Sequence, residues 1–143
     1  MEDKYNLKRF VSAQEYDYSM ALGEIRGGRK RSHWIWYIFP QLKELGRSST
    51  AKYYGLSGAD EARQDLAHPL LGARLREITG ALLALESSDP RAVMGEVDAM
   101  KLRSCMTLFM VASEGEKLFS DVIDRFYGGA ADPYTLQIIL EGK

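Results

Sequence analysis

Chemistry in this chain is concentrated first in Gly27-Gly28-Arg29-Lys30-Arg31-Ser32-His33-Trp34-Ile35-Trp36-Tyr37-Ile38-Phe39-Pro40. Three consecutive cations meet a hydroxyl, an imidazole and two indoles at what reads as the start of a helix. Unpaired backbone N–H groups there, with the Ser32 hydroxyl and the Arg29, Lys30 and Arg31 side chains, would form a receptor for an anion. Trp34 and Trp36 would offer flat faces for a base or a guanidinium to stack upon. His33 is the one side chain in the block whose unperturbed pKa suits acid–base work near neutrality, so it is the sole catalytic candidate. The competing reading is plain: cations following a helix C-terminus meet its dipole favourably, and tryptophans belong in cores.

Two smaller polar islands interrupt apolar stretches. In Lys101-Leu102-Arg103-Ser104, Lys101 and Ser104 are three apart and share one helical face, while Arg103 and Thr107 share another. Two cations entering an apolar helix imply internal ion pairs, a ligand cleft or solvated positions. Gly46-Arg47-Ser48-Ser49-Thr50 adds hydroxyl caps and an arginine at another helix start. The ligand-binding candidates are therefore Arg29, Lys30, Arg31, Ser32, His33, Trp34, Trp36, Lys101, Arg103 and Ser104. Whether the two basic segments converge is a question for the fold. Gln14, on the apolar side of the first helix, needs buried partners and braces either a turn or a pocket.

Other chemistries find no support. His33 and His68 stand alone and Cys105 has no nearby thiol, so no zinc or iron spacing exists. No nucleophile elbow, Walker loop or dinucleotide fingerprint is present, and nothing calls for a cofactor. Ser32 and His33 are adjacent, but neighbouring side chains point apart. Cys105, on an apolar helix face, reads as an inert buried thiol.

The elements that must position these residues are helical. Leu7, Phe10, Val11, Tyr18, Ala21, Leu22 and Ile25 form one face of a first helix, with Asn6 as its expected cap and Gly27 as its left-handed stop. His68-Pro69, Asp89-Pro90 and Asp132-Pro133 each place a capping side chain before a proline at the first helical position. Asp98 is expected to cap a helix whose Leu102, Cys105, Phe109 and Ala112 face the core. Shorter helices are expected over Ser49 to Tyr54 and Ala59 to Ala67. Leu118, Val122, Ile123 and Phe126 give a stripe ending at Gly128-Gly129. Trp34 to Phe39 lacks a partner strand and reads as a short buried helix. The sequence predicts one all-α, compact multi-helix domain over residues 1–143.

Composition bounds the function. A chain of 143 residues, 45% hydrophobic and 27% charged, can bury a core and is not disordered. A net charge of −1 opposes bulk nucleic-acid binding, although Arg26 to Arg31 could touch phosphates. No apolar run approaches the about 18 residues of a membrane span, and no secretory signal opens the chain, so no membrane partner is expected. One cysteine suits a reducing compartment, which makes the cytoplasm the expected location.

Asn6-Leu7-Lys8-Arg9-Phe10-Val11 with Ala13-Gln14, and then Gly28 through Leu42, resemble blocks of a largely bacterial family, domain-of-unknown-function family 1810. Tyr54-Gly55-Leu56, His68-Pro69 with Leu71-Gly72, and Lys101-Leu102-Arg103-Ser104 with Met106-Thr107-Leu108-Phe109 resemble its later blocks. The resemblance implies a mainly helical single domain and no activity. Some members are labelled calpastatin, a repeated and disordered inhibitor unlike this periodic, unrepeated chain. The leading expectation is a small-ligand protein whose basic and aromatic cleft receives an anionic, nucleotide-like molecule. The alternative is a non-enzymatic homo-oligomer that associates through exposed aromatics such as Tyr16, Tyr53, Tyr54 or Trp36.

Overall fold

A computed structural model describes residues 3–142. Among them are nine α-helices and no strand, so the protein is all-α. In chain order they are α1 (Lys8–Arg26), α2 (Ile35–Ile38), α3 (Ser49–Tyr54), α4 (Ala59–Ala67), α5 (Pro69–Leu83), α6 (Pro90–Met94), α7 (Glu96–Ala112), α8 (Lys117–Tyr127) and α9 (Pro133–Glu141). A single 3-10 turn, Lys43–Leu45, lies between α2 and α3.

Helix α7 is the central element, packed by α4, α6, α8 and α9. Its Leu102, Cys105, Met106, Leu108 and Phe109 are wholly buried, which is more than one stripe can supply. A helix apolar on most of its circumference is surrounded, and this one is. Helix α1 lies on α5 and carries Phe10, Ala21 and Ile25 into the same continuous core.

The proline-linked starts form as the sequence reads. The His68 imidazole accepts from Leu70 N and Leu71 N, Asp89 accepts from Arg91 N, and Asp132 accepts from Thr135 N. Trp34 to Phe39 contains the short buried helix α2. The α8 stripe closes at Gly128, left-handed at φ 62°.

Three expected caps lie elsewhere. Asn6 does not cap α1; the Asp3 carboxylate does, accepting from Leu7 N at 2.7 Å and Lys8 N at 2.9 Å. Gly27 is right-handed, and the left-handed residue after α1 is Gly28, at φ 87°. Asp98 lies inside α7, which begins two residues earlier at Glu96 because Gly95, at φ 87°, turns the chain there.

The segment from Gln41 to Gly55 is fastened by a parallel bridge between Leu42 and Leu56. Lys43 N donates to Leu56 O at 2.7 Å, and Leu56 N donates to Gln41 O at 2.9 Å. Arg9 ties it to α1 and α4: its guanidinium donates to Tyr53 O, Gly55 O and the Glu61 carboxylate. With Arg9 and Glu61 side chains 7% and 4% exposed, this is an internal ion pair whose remaining donors are met by carbonyls.

Candidate functional site

The basic block does build an anion receptor, and its occupant is the protein's own Glu24. One oxygen of that carboxylate accepts from Arg31 N at 2.8 Å, Ser32 N at 3.1 Å and the Trp34 indole N–H at 2.9 Å. The other accepts from the Ser32 hydroxyl at 2.6 Å. Burial pushes the Glu24 carboxyl up, but these donors together outweigh it and hold the group down at about 2. Trp34 is 0% exposed, so its faces meet the core and offer nothing to a ligand. Gln14 is likewise a brace, donating to Tyr37 O at 2.8 Å and accepting from Arg74.

Arg29, Arg31 and His33 are exposed. Arg29 lines a shallow depression with Arg91 beside Gly95. None of the three borders the larger groove described below.

The two basic segments meet at Lys30 and Lys101, through Asp98. Lys30 folds inward, 4.9 Å over the Trp34 ring, and pairs with Asp98 Oδ2 at 2.7 Å. Asp98 Oδ1 lies 3.9 Å from Lys101 Nζ, which sits 5.5 Å over the half-buried Trp36 ring. The shared carboxylate is held tightly by the buried lysine and loosely by the outer one.

Lys101 then faces an open groove of about 540 Å³. One wall is the approach to α3, with Gln41, Leu45, Arg47 and Ser48. The other is α7, with Val97, Met100, Lys101, Arg103 and Ser104, joined by Asp132 and Tyr134 at the start of α9. Lys101, Arg103 and Ser104 of the second island thus face Arg47 and Ser48 of the third. Arg103 is fixed by donating to Ala130 O at 2.7 Å and Ala131 O at 3.0 Å. The single Ser104 hydroxyl proton is shared between Met100 O and Asp132 Oδ2, each at 3.2 Å. Asp132 N donates to Thr107 Oγ1 at 2.9 Å, which docks the start of α9 on α7. Arg47 is exposed and, among the described residues, forms no ion pair.

Met100 is 69% exposed, Tyr134 68% and Val97 65%. An apolar rim beside cations is the combination found in sites for amphipathic small molecules. Sequence reasoning did not mark Gln41, Met100, Asp132 or Tyr134 as site residues. A signal existed for Val97, Met100 and Lys101, which follow a three- and four-residue spacing off the buried face of α7. Asp132 was legible only as a cap.

Cys105 is inert by placement: it is fully buried, and burial pushes its thiol well up. Among the described residues no group of three or more His, Cys, Asp or Glu side chains is placed to hold a metal ion. Among them also, no helix is long and apolar enough to cross a membrane.

The profile of the family described as "Protein of unknown function (DUF1810)" matches residues 4–139. Among solved structures, the fold is similar to that of the conserved hypothetical protein Rv1873 from Mycobacterium tuberculosis. The two share 41% identity and a TM-score of 0.94 over 96% of this chain and 99% of that one. No curated protein matches.

Proposed function

The chain belongs to the DUF1810 family, and we propose that it is a small-ligand protein whose groove receives an anionic, nucleotide-like molecule in the cytoplasm. The carrying observation is the convergence of Arg47, Lys101 and Arg103 on one groove rimmed by exposed Met100 and Tyr134. Three positive groups from two separated segments raise the local potential for an anion. Arg47 is exposed and, among the described residues, without an ion pair, and Lys101 is held only loosely, 3.9 Å from Asp98. Arg47 brings a planar fork suited to phosphate or carboxylate. The groove's volume falls within the range of about 300–1,000 Å³ typical of small-molecule sites.

The test is ligand-induced thermal stabilisation, with AMP and pyrophosphate as probes. Wild type and His33→Ala are expected to gain melting temperature alike. Arg47→Ala and Lys101→Ala are expected to lose most of the gain, each binding about tenfold more weakly. Equal gains in all four proteins would remove the groove from the account.

A second reading is favoured by the same rim. Val97, Met100 and Tyr134 could instead be the centre of a self-association surface, apolar with a basic margin. Light scattering across concentrations separates the two: a dimer weakened by Met100→Asp and insensitive to AMP supports association.

A further inference from the structure

We propose that the groove's occupant is a phosphomonoester of a hydroxyl-bearing sugar, and that Asp132 is the residue that reads its hydroxyl groups. This rests on the anion-binding reading above and adds to it the identity of the ligand's other pole.

The groove is not uniformly positive. Asp132 stands in its wall, opposite the segment carrying Arg47 and Ser48. That carboxylate weakens the hold on a purely anionic ligand, so the molecule that fits best brings hydrogen-bond donors as well as negative charge. Asp132 is set up to meet them. Its Oδ2 accepts from Ser104 Oγ at 3.2 Å, Thr135 N at 3.0 Å and Thr135 Oγ1 at 2.5 Å. Three donors fix the carboxylate's orientation. Its Oδ1 accepts from no protein group among the described residues, although a carboxylate oxygen has lone pairs for two donors. The result is a preoriented acceptor at a groove wall, and a carboxylate is the group that accepts from the ribose hydroxyl in Rossmann-type NAD sites.

The opposite pole fits phosphate. Lys101 supplies a point charge that can turn from Asp98 to a ligand, leaving Asp98 to its shorter pair with Lys30. Arg47 supplies bidentate donors. Met100 and Tyr134 add apolar faces for whatever the sugar carries, which a sugar phosphate would leave unused and a nucleoside monophosphate would cover. The shared chemistry is therefore a sugar bearing both hydroxyls and a phosphate.

The experiment is isothermal titration of the full chain with four probes: inorganic phosphate, ribose 5-phosphate, AMP and 2′,3′-dideoxy-AMP. Wild type and Asp132→Asn are compared, since asparagine caps a helix nearly as well as aspartate and so keeps α9 in place. Wild type is expected to bind AMP or ribose 5-phosphate at least tenfold more tightly than phosphate, and to bind the dideoxy analogue about tenfold more weakly than AMP. In Asp132→Asn the preference for AMP over its dideoxy analogue should collapse while phosphate affinity holds or rises. Ribose 5-phosphate matching AMP would assign a sugar phosphate; AMP binding more tightly would assign a nucleotide. If phosphate binds but hydroxyls add nothing in wild type, this inference fails and the anion site stands. Hydroxyl discrimination that survives in Asp132→Asn also overturns the role of Asp132. If none of the four binds, both readings fall.

Discussion

The Lys30 ammonium lies 2.7 Å from the Asp98 carboxylate, with both side chains largely withdrawn from water, and that pair is the joint between the basic block and α7. Removing either partner strands the other, but unequally. In Lys30→Met, Asp98 still has Lys101 3.9 Å away. In Asp98→Asn, Lys30 has no carboxylate left. Asp98→Asn is therefore expected to lower stability by about 2–4 kcal/mol, and Lys30→Met by roughly half of that. Urea unfolding of the two variants checks the order.

Glu24 makes the anion receptor of residues 31–34 a structural device. Glu24→Ala leaves the Trp34 indole N–H and two backbone N–H groups facing an empty cradle, which should cost about 2 kcal/mol. Formate or acetate should then restore part of the lost melting temperature in the variant and leave wild type unchanged. Absence of that rescue would show that the cradle does not persist without its carboxylate. In wild type the Glu24 contribution is full above its ordinary value of 4.5 and is lost as pH falls toward about 2.

Asp65 acts in the opposite direction. It is 4% exposed between α4 and α7; burial, reinforced by Glu61 and partly offset by Arg9, pushes its carboxyl up to about 7. A raised carboxyl binds its proton more tightly in the native state. Its contribution is complete below the ordinary 3.8 and is lost as pH rises through about 7. Asp65→Asn should flatten that decline and exceed wild type at pH 8, by about 2–4 kcal/mol. Unfolding free energies measured from pH 4 to 8 check the crossing profile.

Gly55 lies against Lys43, in the segment that carries Gln41 and Arg47. A Cβ there would stand 2.3 Å from Lys43 Cα, and backbone cannot step aside as a side-chain tip can. Gly55→Ala should break the Leu42–Leu56 bridge and lower stability by about 2 kcal/mol or more. It should also weaken AMP binding, because Gln41 and Arg47 hang from that segment. Calorimetry and thermal unfolding of the one variant read both effects.

Most of the fold was legible because its boundaries are chemical. Asp89, His68 and Asp132 before prolines, and Gly128 after α8, leave little choice of where helices start and stop. Helix α1 was placed correctly but its cap was not: a carboxylate reaching forward from Asp3 looks, in sequence, no better than the nearer Asn6. The site was half legible. Donors announce themselves in Arg31-Ser32-His33-Trp34, but nothing in the order of residues shows that Glu24, in the last turn of α1, fills them. Asp98 reads as a cap and proves to be the counter-ion of two lysines. Arg47 with Lys101 is a meeting across more than fifty residues that only packing decides.

The central claim is that an anion's place lies between Arg47 and Lys101, and crystals soaked with AMP test it most directly. Difference density is expected in the groove, with the phosphate within hydrogen-bond distance of Lys101 Nζ and the ribose toward Asp132 Oδ1. Density beside Arg29 and Arg91 instead, or a groove that stays empty at saturating AMP, would contradict it.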